Sequence, residues 1–357
     1  MSFYRRLPGR TAALALLSWL VVALVLHLRA ERQLSTHDRS TSAGITSPPP
    51  PGAATSAESR SSNAAIAFQD EAGTRPRRTA VVVAKTAFEN ATWLDDYFPQ
   101  WEKNIYSVGD GETKMKIPKN KGRESMVYLS YIIDNYDRLP DNVLFLHPNR
   151  YQWHNDDPDY DGVPMLRHFQ MPYLEQEGYV NIRCAWSMGC PDEIKPFAEE
   201  GEHRAQVHAG GDYKKAFHVL FPGLDVPKSV GVSCCAQFAA TKEKVRERKK
   251  SDYLRYRKWL VETDLEDAIS GRIMEYSWHS TFSRLAIRPP VIFGKDPVHC
   301  PSAQVCYCKV FGLCNLQCEE QGSCQNRYTL PPFATLPEGW PYIGWGQEYR
   351  ERAGSED

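Results

Sequence analysis

Two stretches of this chain carry side chains whose types and spacing could do chemistry. Residues 147–161 read HPNRYQWHNDDPDYD and gather His147, His154, Asp156, Asp157, Asp159 and Asp161 in one turn-rich segment. Carboxylate oxygens plus imidazole nitrogens are donors that a divalent cation such as Mn²⁺ or Mg²⁺ accepts. His154, Asp156 and Asp157 are therefore candidate metal ligands. An acidic solvated turn, whose Asp side chains bond nearby backbone N–H groups, is the other reading. In the second stretch Arg272, Glu275 and His279 stand three and four residues apart, so they share one face of an unbroken helix. Glu275 is a candidate general base for an incoming hydroxyl, and Arg272 would pair with phosphate or orient Glu275. His279 would join the metal or contact a diphosphate. An intrahelical ion-pair network is the plain alternative.

Those residues need elements to hold them. Thr79–Ala84 is an apolar, β-branched run that predicts a buried strand. A polar turn, 119–124, leads into a helix pattern with Met126, Leu129, Ile132, Ile133 and Tyr136 on one face, stopped by Leu139-Pro140-Asp141. Val143–His147 predicts a second buried strand, and Gly178–Cys184 and Ser229–Phe238 predict two more. Thr263-Asp-Leu-Glu266 matches a capping box and predicts the start of the helix that carries Arg272. The basic run 242–258 reads as a solvated helix face or as a phosphate contact. Helix, turn and apolar strand together predict an α/β fold, one mixed or parallel sheet flanked by helices. In such sheets ligands sit beyond the carboxyl ends of strands, where 147–161 falls.

Composition places the chain in a compartment. Thr11–Leu28 is apolar, long enough for a thin bilayer and preceded by Arg5, Arg6 and Arg10. This predicts a cytoplasmic tail (1–10) and a signal anchor (11–28) of a single-pass type II membrane protein, its body in the endoplasmic reticulum, the Golgi or outside the cell. A cleaved signal peptide is the competing reading. The Ser/Thr/Pro-rich stretch 29–78 is too poor in apolar residues to fold and reads as a stalk, O-glycosylated or bare. Asn90-Ala-Thr92 is an N-glycosylation sequon that this topology makes available. The formal charge of −1, from 43 basic and 44 acidic residues, gives no footprint for nucleic acid.

Ten cysteines fit an oxidising lumen. Cys184 or Cys190 is expected to pair with Cys234 or Cys235; a vicinal Cys234–Cys235 bridge or a redox site is the alternative. Cys300, Cys306, Cys308, Cys314, Cys318 and Cys324 predict three disulfides within a small appendage, 294–357, with zinc as the competing reading and connectivity open. The body is then 79–293.

NKGRES (120–125), YLSYIIDNYDRLPDNVLFLH (128–147), GYVNIRC (178–184), SCCAQFA (233–239) and SGRIMEYSWHSTF (270–282) occur in this order. Together they resemble a fungal family known only as domain of unknown function 3431, over roughly residues 79–290. That family's pattern is similar to glycosyltransferase-like proteins of the GT-A type. The resemblance implies a GT-A-like sheet and transfer of a sugar from a nucleotide sugar to a glycan or small-molecule acceptor. It places the 147–157 loop at the metal motif and Glu275 and His279 near the base and an extra metal ligand. Asn120, Arg123, Glu124 and His147, in the matching motifs, become candidate substrate contacts. The pattern departs at the end of the second strand, where His147-Pro-Asn-Arg replaces the expected Asp-x-Asp. A non-catalytic, disulfide-stabilised ectodomain that binds glycans or proteins, and a tailoring enzyme of secondary metabolism, are the competing functions.

Overall fold

Alternation of side chains along short β-branched strands builds the centre of the protein. The computed structural model describes residues 76–109, 116–204, 208–282 and 298–352. The expected tail, the anchor and the stalk up to residue 75 lie outside the described residues. Among the described residues no helix is long and apolar enough to cross a membrane.

The strands are β1 (Thr79–Lys85), β2 (Glu102–Ser107), β3 (Asn142–Leu146), β4 (Tyr179–Asn181), β5 (Gly231–Val232), β6 (Phe238–Thr241) and β7 (Val298–His299). Five of them form one mixed sheet in the order β2-β1-β3-β6-β4. β1 runs parallel to β2 and β3, and β6 is antiparallel to β3 and β4. β5 and β7 pair separately.

Both faces of this sheet are covered, which is why β1 and β3 read as unbroken apolar runs. Ala80, Val82, Val143 and Phe145 point to one core, and Val81, Val83, Leu144 and Leu146 to the other. The helices are α1 (Trp93–Tyr97), α2 (Ser125–Asn135), α3 (Gly162–His168), α4 (Met171–Glu177), α5 (Gly210–Leu220), α6 (Lys242–Arg246), α7 (Lys250–Glu262), α8 (Asp267–Glu275), α9 (Trp278–Thr281) and α10 (Ala303–Phe311). α2, α7 and α8 supply the first core, with Met126, Leu129, Tyr256, Leu260 and Ile273. α3, α4 and α10 supply the second, with Val163, Leu166, Leu174, Tyr307, Val310 and Phe311.

The cysteine-rich segment therefore does not stand apart, because α10 is part of the body's core. The disulfides correct the expected pairing. Cys184 bonds Cys306 and Cys190 bonds Cys300, so these two reach the tail rather than Cys234 or Cys235. Cys234 and Cys235 bond each other, and the tail keeps only Cys308–Cys314 and Cys318–Cys324 to itself. No cysteine is free. The Cys184–Cys306 bond closes a separation of 122 residues. Long closures remove the most freedom from the unfolded chain. Replacing both cysteines by Ala should lower the unfolding free energy by about 2–5 kcal/mol, read from urea denaturation with the other four disulfides intact.

Two further sequence expectations change. The predicted strand 229–238 is interrupted: β5 and β6 flank a loop in which Cys235 and Ala236 take positive φ of 90° and 49°. The predicted capping box also works differently. The Thr263 hydroxyl accepts from the Leu265 N–H, and α8 begins only at Asp267, whose carboxylate bonds the Gly122 and Arg123 N–H groups at 2.7 and 3.2 Å. Six of the nine basic side chains of 242–258 form ion pairs among the described residues, Lys242–Asp141, Lys244–Glu247, Lys250–Asp137, Arg255–Asp252, Arg257–Asp134 and Lys258–Glu262.

Candidate functional site

The carboxyl end of β3, the start of β6 and the end of β4 meet at one edge of the sheet, and the site grows from there. His147 follows β3 directly. Its backbone N–H donates to the Gln237 side-chain oxygen at 3.0 Å, and the Gln237 amide donates to the His154 carbonyl at 3.0 Å. One buried glutamine thus holds both histidine segments. The two imidazoles stack at 4.1 Å with 17° between planes, and Trp153 packs on His154 at 4.1 Å.

Glu275 comes from the last turn of α8. One carboxylate oxygen accepts the Cys235 N–H, and the other pairs with the Arg272 guanidinium at 3.2 Å. The carbonyl of the same residue, Cys235, in the next peptide unit, accepts from His147 Nε2 at 2.8 Å. A carbonyl only accepts, so Nε2 carries the proton of His147. The backbone of Cys235 therefore links the histidine to the acid.

The 120–125 turn is brought in by Asp267. Gly122 and Arg123 adopt positive φ of 73° and 51°, the conformation in which both N–H groups reach that carboxylate. Arg123 then lies over Gly271, where a β-carbon would stand 3.0 Å from its Cγ. Burial pushes the Glu124 carboxyl up to about 8, with Glu275 adding to the rise and Arg123 and Arg272 opposing it. Burial lowers His147 to about 4, partly offset by its bond to Cys235 and by Glu89, while Arg123 lowers it further. His154 is held well below its ordinary value by burial and then by His147, Arg183, Arg272 and Arg123. Three arginines disfavour a proton on His154, and the same positive potential favours an anion. His154 Nδ1 is buried without a hydrogen-bond partner among the described residues.

Glu124 gives a pH test. Its folded value exceeds the unfolded one, so the folded chain binds the extra proton. The associated stability is fully present below the ordinary carboxylate range and is lost as pH rises towards about 8. Glu124→Gln should be destabilised less than the parent between pH 5 and pH 9, measured by denaturant midpoints.

Arg123, Glu124, His147, His154, Arg272 and Glu275 are thus close enough to bond, stack on or electrostatically influence one another. The other candidates lie elsewhere. One Asp156 oxygen accepts the Cys184 and Ala185 N–H groups, and the other accepts the Tyr307 hydroxyl at 2.6 Å. An Asp157 oxygen accepts the Asp159 and Asp161 N–H groups at 2.9 and 3.2 Å. Asp161 caps α3 and pairs with Arg150 and Arg352. The acidic loop is a hydrogen-bonded turn whose carboxylates are engaged, and among the described residues no group of three or more His, Cys, Asp or Glu could hold a metal ion.

His279 leaves the Arg272–Glu275 face because the helix does not persist. The Ser277 hydroxyl bonds the Ile273 carbonyl at 2.7 Å, and Trp278 turns into the core against Phe238. His279 instead stacks at 6.4 Å on His299. Asn120 is exposed at the start of its turn. Asn90 is exposed too, and its side chain accepts the Thr92 N–H at 2.9 Å.

The family described as protein of unknown function (DUF3431) matches residues 81–309. The chain belongs to this family. No curated protein and no solved structure matches it. The family segment contains all six convergent residues and runs past the expected end at 290 into α10. It takes in Cys300 and Cys306, the two tail cysteines that bond the body. Gln237, Trp153 and the Cys235 backbone were not anticipated as site groups; the position of Gln237 two residues after the paired cysteines was the one local signal.

Proposed function

We propose that this protein is a glycosyltransferase-like enzyme of the secretory pathway, anchored by residues 11–28, that moves a sugar from a nucleotide sugar to a hydroxyl acceptor. The observation that carries the reading is the convergence of Arg123 and Arg272 with Glu275 at the strand ends. Departure of a nucleoside diphosphate builds negative charge, which guanidinium groups stabilise through short charge-assisted bonds. Arg123 and Arg272 would take that task without a cation. Glu275, fixed by the Cys235 N–H and Arg272, would take the proton of the acceptor hydroxyl. His147 and His154, both neutral at pH 7, would line the sugar side and orient it. Five disulfides support a luminal body.

The test is the purified full-length protein in detergent with a panel of nucleotide sugars and excess chelator, following release of the nucleoside diphosphate. Release with at least one donor, undiminished by chelation, is expected. No release with any donor, with or without Mn²⁺, would leave the non-catalytic ectodomain as the better reading.

A further inference from the structure

The loop between β5 and β6 is unusual in three independent ways. Adjacent cysteines are bonded to each other, two consecutive non-glycine residues have positive φ, and both polar groups of the Cys235 residue's backbone point to site side chains. L-residues seldom occupy that region of backbone space, and such outliers persist only where surrounding structure holds them.

The flanks of the loop are fixed without the disulfide. Upstream, the Ser233 carbonyl accepts from the Asn181 side chain at 2.9 Å, and the Cys234 N–H donates to the Met188 carbonyl at 3.2 Å. Downstream, Gln237 is locked between His147 and His154. What remains between the fixed ends is the Cys235–Ala236 turn, closed by the bond between neighbouring sulfurs. That bond makes a small ring containing the 234–235 peptide, so it restricts ψ of Cys234 and φ of Cys235: the peptide in the ring carries the N–H, and the fixed φ sets where the Cys235 carbonyl, one bond outside the ring, starts from. Both cysteines are buried, Cys234 fully and Cys235 to 5% exposure.

We propose that the Cys234–Cys235 disulfide is a positioning element, which aims the Cys235 N–H at Glu275 and its C=O at His147 and assembles the site only in the oxidised chain. The positional claim is independent of the reaction; its catalytic consequence rests on the transferase reading. Opening the ring needs a dithiol reductant. One of its thiolates attacks the S–S bond to give a mixed disulfide, and its second sulfur displaces the protein sulfur. The reductant is oxidised to its own disulfide, and Cys234 and Cys235 each end as a thiol, two electrons and two protons having been transferred.

The experiment uses full-length protein in detergent micelles, ¹⁵N-labelled at histidine, with Cys234→Ser/Cys235→Ser and Cys234→Gly/Cys235→Gly variants. Mass mapping first confirms the other four disulfides. In the parent, the neutral His147 imidazole should be the Nε2–H tautomer with a slowly exchanging proton. In both variants that proton should exchange fast and the tautomers should average, and affinity for uridine diphosphate as probe should fall at least tenfold. The glycine pair tolerates positive φ without a ring, so it covers the case in which the serine pair fails to fold. An unchanged Nε2–H signal in a folded variant overturns the proposal, and so does failure of both variants to fold, which would make the ring a folding element. If the parent binds neither uridine nor guanosine diphosphate, the transferase reading fails while the His147 comparison still decides the positional claim.

Discussion

Glu275→Gln should reduce turnover by about 10²–10⁴-fold, the range removed with a general base. Gln preserves shape and keeps a carbonyl oxygen for the Cys235 N–H, so the loop and His147 stay in place. What disappears is the ability to take a proton, together with the charge paired to Arg272. The expected signature is a loss in kcat with little change in donor KM, measured as nucleoside diphosphate release. Arg272→Ala should move both, because the guanidinium is assigned to the leaving group as well as to Glu275. A Glu275→Gln variant with full turnover removes the base assignment and leaves the anion-binding role of the arginines untouched.

Asp156→Ala should destabilise the fold by about 3–5 kcal/mol, the scale set by leaving several buried hydrogen-bonding groups unpaired. Its carboxylate joins three parts of the chain: the 147–161 loop that carries it, the Cys184-Ala185 backbone beyond β4, and Tyr307 on α10. Loss of the acid strands two N–H groups and a phenol that is itself buried. Urea denaturation gives the magnitude, and Asp156→Asn, which keeps one acceptor, should fall between. The same substitution separates two roles for the acidic loop. A structural carboxylate predicts a stability loss insensitive to added Mn²⁺, whereas a metal ligand predicts a folded variant with weakened metal binding.

The sheet was legible in the sequence where burial on both faces wrote itself as unbroken apolar runs, at Thr79–Lys85 and Asn142–Leu146. The helix at Ser125–Asn135 followed from its spacing, although it is buried around most of its circumference rather than along one face. Arg272 and Glu275 were readable as neighbours because a single helix turn joins them. His279 was not separable from them, since nothing in the spacing reveals that Ser277 turns its hydroxyl back to Ile273. The acidic loop looked like a metal site because carboxylates that bond backbone N–H groups and those that bind cations have the same sequence appearance; only their partners differ. The cysteine pairs were beyond reach for a related reason. Pairing depends on which loops α10 brings together when it packs against α3 and α4, and that is a long-range fact. Cys235 and Ala236 carry no hint of positive φ, a conformation that sequence reading assigns to Gly or Asn.

The central claim is that this site holds a phosphate-bearing donor through its own arginines. Calorimetric titration of the full-length protein with uridine and guanosine diphosphates in excess chelator tests it most directly, with Arg123→Ala and Arg272→Ala alongside. The account predicts saturable binding of at least one diphosphate without metal, weakened by about tenfold or more in each variant, as for the loss of a charge-assisted contact. Absence of binding, or binding that both variants leave unchanged, would contradict it.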